Sequence, residues 1–435
     1  MTIGNTTHRF WIRSRGSSVV RRLAMALRTE LGVVRFALGV VALHVVDDSY
    51  LQPEPGVSPA DHLVSGLIPV LVLAVASGLY PRLRAGLRAM AAGTLGALGI
   101  AFGIPGAYYL TKGAAAGDDY TGLLALAAGA VLLLSAPVTL WRSRKPGGSR
   151  RRRYLRRAVL IAAAPVATLA LIWFVVFPIG FPYVYTHTGP VAKTPSLGVP
   201  ADRIAVTTSD SIDLAAWYVP SKNRAAVIVF PGPARATEAR MLIRHGYGVL
   251  LLEPRGEGAS EGDPARWAGA RDLLAGANYL RSRPDVDAAR IGAFGFSVGG
   301  ELLLEAAAQS DVFKAVVSEG AGGRVGDEDL SGPQRLLAAP NLALMTAAVT
   351  LFANHGPPPP IAERIGRIAP RPVFLIYAEH GMGGEDSRQP VYYAAAGEPK
   401  AIWQVPGAQH TGGIEAQPAE YERRVIGFLD RALLR

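Results

Sequence analysis

Gly295-Phe296-Ser297-Val298-Gly299 sets a serine between glycines placed two residues to either side. A serine can act as a nucleophile when the backbone carries it on a sharp strand-to-helix turn, where larger side chains at the glycine positions would clash. Both flanks are present. The stretch from Arg290 to Gly300 reads as a short apolar strand and then the glycine-flanked turn, and a helix follows over Glu301–Ala308. Such a turn aims backbone N–H groups and a helix N-terminus at the atom under attack, which suits a developing oxyanion. A hydroxyl is a poor nucleophile near neutral pH and needs an adjacent base. Among eight histidines, His410 follows a late strand, in the small-residue loop Gly407-Ala408-Gln409-His410, and is the candidate base. The chain has no cysteine, which excludes thiolate catalysis, disulfides and cysteine-ligated metal. Serine chemistry of this kind implies no metal and no organic cofactor.

The elements that must position these groups lie in 201–435. Strand-like runs at Arg203–Thr208, Leu214–Val219, Ala225–Phe230, Gly248–Leu252, Phe313–Val317, Val373–Ala378 and Ala401–Val405 alternate with helical stretches at Ala236–His245, Ala265–Arg283 and Tyr421–Leu434. That alternation predicts a mostly parallel sheet with helices on both faces. Residues 327–368 fit no sheet unit. They hold an apolar helix near Leu336–Phe352 and read as an insertion capping the site.

The elbow around Ser297, the Arg255-Gly256-Glu257-Gly258-Ala259-Ser260 segment after a strand, and the late His410 together resemble an α/β-hydrolase over about 201–435. The resemblance implies an α/β-hydrolase fold and an acid in the loop after Val373–Ala378. Candidates are Glu385, Asp386 and Glu379. Glu385 is favoured for its turn, Gly383-Gly384-Glu385, and His380 falls where the acid belongs rather than the base. It also implies an oxyanion hole from the Val298 N–H and a second donor in the Pro231-Gly232-Pro233-Ala234-Arg235 loop. Pro233 has no N–H, so Ala234 would replace it after a one-residue shift. Arg255 reads as a structural arginine tying loops together. The expected activity is a serine hydrolase cleaving an ester, thioester or amide of a small-molecule or lipid-like acyl substrate through an acyl-serine intermediate. An acyltransferase with the same nucleophile and a non-catalytic sensor or binding module are the alternatives.

The first half of the chain is of a different kind. Residues 1–30 are basic, and five apolar segments follow within 31–181: Leu31–Val46, Leu63–Tyr80, Met90–Leu110, Leu123–Trp141 and Ala158–Phe181. Their lengths suit a bilayer core of about 30 Å. Arg35 and His44 lie in the first segment, and Arg35 reads as snorkelling at its end. Residues 182–200 read as a linker. Residues 1–157 hold 20 Lys and Arg against 7 Asp and Glu, whereas the remainder holds 25 against 27. The net charge of +11 therefore sits among the apolar segments, which points to membrane orientation and not to nucleic acid. The basic loops, above all Arg142–Arg157, belong in the cytoplasm. That expectation makes the chain a multi-pass membrane protein in contact with membrane lipid, with a cytoplasmic N-terminus and an extracytoplasmic hydrolase domain. Nothing in the sequence fixes an oligomeric state.

Overall fold

The runs Ala226–Phe230, Gly248–Leu252, Ile291–Phe296 and Ala315–Glu319 are buried from end to end, as expected of central strands covered on both faces. They belong to a computed structural model that describes residues 27–143, 164–264, 267–324 and 335–435, together with Met25, Arg151 and Tyr154. Most of the basic N-terminus 1–30, most of the Arg142–Arg157 cluster, the start of the fifth apolar segment at Ala158, the helix start at Ala265 and residues 327–334 of the insertion lie outside the described residues. The chain forms two compact units. One reaches Val184, and the other runs from Tyr185 and also takes in Glu54–Ser58.

The first unit is helical: α1 (Glu30–Val46), α2 (Leu63–Leu79), α3 (Ala85–Thr111), α4 (Asp119–Arg142) and most of α5 (Ala164–His187). By length and composition α2 together with the 3-10 turn that continues it to Arg82, and α3 to α5, can each cross a membrane. α1, the first of the expected spans, is not among these candidates. Two expectations change here. The apolar segment placed at 158–181 continues as helix through His187, because Pro182 is accommodated and Tyr183-Val184-Tyr185 prolong the apolar run. The linker therefore starts later than residue 182. α3 and α4 meet backbone to backbone. A Cβ on Gly96 would lie 2.7 Å from the Gly129 carbonyl, and one on Gly129 would lie 2.6 Å from that of Gly96. Close approach over small residues is how helices associate where water supplies no driving force.

The second unit carries one eight-stranded sheet in the order β1-β2-β4-β3-β5-β6-β7-β8. The strands are β1 (Asp202–Thr207), β2 (Asp213–Val219), β3 (Ala226–Phe230), β4 (Gly248–Leu252), β5 (Ile291–Phe296), β6 (Ala315–Glu319), β7 (Val373–His380) and β8 (Lys400–Gln409). β2 runs against its neighbours, and every later pairing is parallel. The longer helices described in the unit are α6 (Ala236–Arg244), α7 (Ala270–Arg281), α8 (Val298–Gln309), α9 (Arg335–Phe352), α10 (Glu385–Ala395) and α11 (Pro418–Leu433). Leu273, Leu280, Leu303 and Ala307 of α7 and α8 pack on one face of the sheet. Leu242 of α6 and Tyr421, Val425 and Leu429 of α11 pack on the other. α9 lies in the insertion read as a cap, and its length and composition would also suit a membrane span.

Candidate active site

Ser297 stands between β5 and α8 with φ 53° and ψ −127°, a conformation that a side-chain-bearing residue adopts only when its surroundings impose it. The flanking glycines impose it. A Cβ on Gly295 would lie 2.5 Å from the Gly299 carbonyl, and one on Gly299 would lie 2.6 Å from that of Phe230. The Ser297 N–H donates to the Glu319 carbonyl at 2.8 Å, which ties the turn to the end of β6.

His410 directly follows β8, which extends to Gln409, four residues past the expected Val405. Its Nε2 lies 2.8 Å from Ser297 Oγ, and its Nδ1 lies 2.9 Å from Glu385 Oε1. These contacts span 113 and 25 residues of sequence. Glu385 is fully buried at the first position of α10. Its two oxygens also accept the Met382 N–H at 3.1 Å and the Ala378 N–H at 3.4 Å. These backbone donors fix the direction in which the carboxylate faces His410. The other two candidate acids are not brought to His410. Glu379 is exposed and accepts the Gly407 N–H at 2.7 Å. Asp386 and His380 are also exposed.

A cavity of about 240 Å3 opens beside Ser297 and is lined by Phe230, Pro231, Val298, Leu302, Arg255 and Glu257 among others. Val298, the first residue of α8, is where a helix keeps its N–H groups unspent. On the opposite wall the structure differs from the expected donor. Pro233 and Ala234 begin a turn of 3-10 helix and are not among the cavity's lining residues; Pro231 is. The shift follows from Gly232, whose N–H is spent on the Leu252 carbonyl at 2.8 Å and so turns the loop away beyond it. Pro231 has no N–H to offer. Arg255 reaches the cavity wall but is committed elsewhere. Its Nε donates to Asp272 Oδ1 and one Nη to Asp210 Oδ2, both at 2.8 Å, and this pairing holds the Asp210 carboxyl far below its ordinary range. Among the described residues, no cluster of His, Cys, Asp and Glu suits a metal ion.

Gly320 packs against His410. It has φ +70°, and a Cβ there would lie 3.1 Å from His410 Cε1 and 2.8 Å from Thr411 Cγ2. Gly320→Ala is expected to crowd the imidazole by a few tenths of an ångström and to strain a left-handed backbone position, slowing turnover by about tenfold. Hydrolysis of p-nitrophenyl butyrate, followed alongside thermal unfolding, tests this. Turnover within about threefold of wild type would show that the contact has slack.

Sequence reasoning missed Glu319, a buried carboxylate at the end of β6 that touches the loop after His410. The one sequence signal was an acid two residues past the apolar run Ala315-Val316-Val317.

The sequence profile of the Prolyl oligopeptidase family matches residues 235–322. An uncharacterized protein of Mycobacterium tuberculosis is 32% identical over 246 residues, which cover 52% of this chain and 78% of that protein. The polyketide transferase GrgF of Penicillium is 31% identical over 121 residues, 25% of this chain and 41% of the transferase. Among solved structures, the Pyrococcus furiosus esterase Pf2001 is 20% identical with a TM-score of 0.46, covering 57% of this chain and 98% of the esterase.

Proposed function

Because the chain belongs to the α/β-hydrolase superfamily, we propose that it is a membrane-anchored serine hydrolase that cleaves an ester, thioester or amide through an acyl-serine intermediate. The observation that carries this reading is the continuous contact Ser297–His410–Glu385 beside a cavity. In the proposed cycle Ser297 Oγ attacks the carbonyl carbon while His410 Nε2 takes its proton. The C–O, C–S or C–N bond then breaks, and His410 returns the proton to the leaving group. Glu385 holds the Nδ1–H and balances the imidazolium. Water repeats the sequence to free the acid and Ser297. The Val298 N–H serves the oxyanion. Pro231 on the facing wall supports a hole with one backbone donor fewer than usual, which lowers the rate by about 100-fold without changing the reaction class. The mostly apolar cavity favours a small-molecule or lipid-like acyl group. Transfer of the acyl group to an alcohol uses the same residues, and the match to a polyketide transferase favours that as the second reading. The apolar helices and the basic loops between them support an integral membrane protein with the hydrolase domain outside.

A membrane-impermeant fluorophosphonate applied to intact cells tests both parts. The expected result is labelling of the wild type and none of Ser297→Ala. Labelling only after lysis would reverse the orientation and keep the chemistry. A folded wild type that is labelled in neither setting would leave a non-catalytic binding module as the better reading.

A further inference from the structure

Glu319 is 2% exposed and has no place in the proposed cycle, yet it touches both loops that the cycle depends on. Its backbone carbonyl accepts the Ser297 N–H at 2.8 Å. Its carboxylate accepts the Gly413 N–H at 2.9 Å and the Tyr421 hydroxyl. Gly413 lies three residues past His410. Thr411 between them is held at φ 53°, and Arg235 grips it from the other side, donating to its carbonyl at 3.1 Å and to its hydroxyl at 2.8 Å. Arg235 is itself fixed, over the Phe296 ring at 4.3 Å and beside Glu238 at 3.5 Å. We propose that Glu319 is a positioning residue, clamping the His410 loop to the Ser297 turn, and that the clamp is closed when its carboxylate is ionised. The proposal rests on the serine-hydrolase reading above.

A left-handed Thr411 persists only where the surroundings over-determine it, and the pair Arg235 and Glu319 does so from both ends of the loop. The groups facing Glu319 are Tyr421 from α11, Glu238 from α6, Arg235 from the turn after β3 and the Gly413 N–H. One cation thus serves two buried carboxylates. Burial is the largest influence and pushes the Glu319 carboxyl up to about 7; Tyr421, Gly413 and Arg235 pull it down, and Glu238 pushes it up. Glu319 therefore exchanges its proton near neutral pH. Above that pH both oxygens accept, and the bonds to Gly413 and Tyr421 are charge-assisted. Below it, one oxygen becomes a donor, Tyr421 must turn its hydroxyl away, and the hold on the loop weakens.

The test is the rate at which a fluorophosphonate labels Ser297 in the full-length protein in detergent, from pH 5 to 9, with Ser297→Ala as the blank. In wild type the acid limb should be steeper than in Glu319→Gln by up to one proton, the one that Glu319 takes up. Glu319→Gln should label about tenfold more slowly at pH 8. Tyr421→Phe removes a bond that favours the ionised form, so it should move the Glu319 inflection up by about one pH unit. A residue that merely filled space would move neither slope nor inflection. Equal slopes in wild type and Glu319→Gln, with wild type labelled, would overturn the clamp alone. A wild type that is not labelled would overturn the hydrolase reading and the clamp with it. Should Glu319→Gln fail to fold, Tyr421→Phe decides, and an unmoved inflection in that variant would overturn the proposal.

Discussion

His410→Ala is expected to cut kcat for p-nitrophenyl butyrate by about 10^6-fold, as is Ser297→Ala, and the double variant should be no worse than either single one. The reason is that nucleophile and base act as a unit. With the 2.8 Å contact between Nε2 and Oγ gone, the hydroxyl has no acceptor for its proton at the moment of attack. KM should stay within about threefold of wild type, because His410 is not among the residues lining the cavity and substrate binding is left intact. His380→Ala is the control. It is exposed at the end of β7, and its removal should leave turnover unchanged. Stopped-flow and steady-state kinetics on the full-length protein in detergent give all four numbers. Loss of less than about 100-fold in His410→Ala would show that another group takes the proton, and the constellation around Ser297 would have to be reassigned.

What could be read from the sequence was local, and what could not be read was long-range. The Ser297 turn is a five-residue pattern bounded by a strand and a helix, so its elements and its strained backbone follow from glycine placement alone. The parallel sheet was legible because β3, β4 and β5 are nearly unbroken apolar runs and each is followed by a helix. The end of β8 was not. Pro406-Gly407 looks like a strand terminus, yet pairing with β7 carries the strand on to Gln409, where His380 meets it after a register shift. Three carboxylates within eight residues could not be ranked by pattern, since burial separates them: Glu385 is enclosed while Glu379 and Asp386 face solvent. The Pro231–Arg235 loop read one way in sequence and folded another, because the Gly232 N–H has a partner, Leu252, that lies 20 residues away. Glu319 was the hardest to see. Its partners Gly413 and Tyr421 lie 94 and 102 residues downstream, a distance at which no local pattern carries information.

Glu385→Ala is expected to lower kcat by about 10^4-fold, and Glu385→Gln by clearly less, about 100-fold to 1000-fold. The difference follows from the three groups around the carboxylate, all of which donate. Oε1 accepts from His410 Nδ1 at 2.9 Å and from the Met382 N–H at 3.1 Å, while Oε2 accepts from the Ala378 N–H alone, at 3.4 Å. A glutamine has one acceptor oxygen. Placing it at the Oε1 position keeps two short bonds and gives up one long one; the reverse orientation gives up two. Glutamine should therefore keep the Nδ1–H tautomer and leave Nε2 free to take the Ser297 proton. What it loses is the negative charge opposite the imidazolium, in a fully buried position where that charge is poorly replaced by solvent. Alanine loses the charge, the tautomer and the acceptor for Met382 together. The measurement is kcat for both variants, with thermal unfolding to show that each is folded. Equal losses in the two would mean that the amide takes the other orientation. A loss below about tenfold in Glu385→Ala would mean that the carboxylate at 2.9 Å does not orient the base at all.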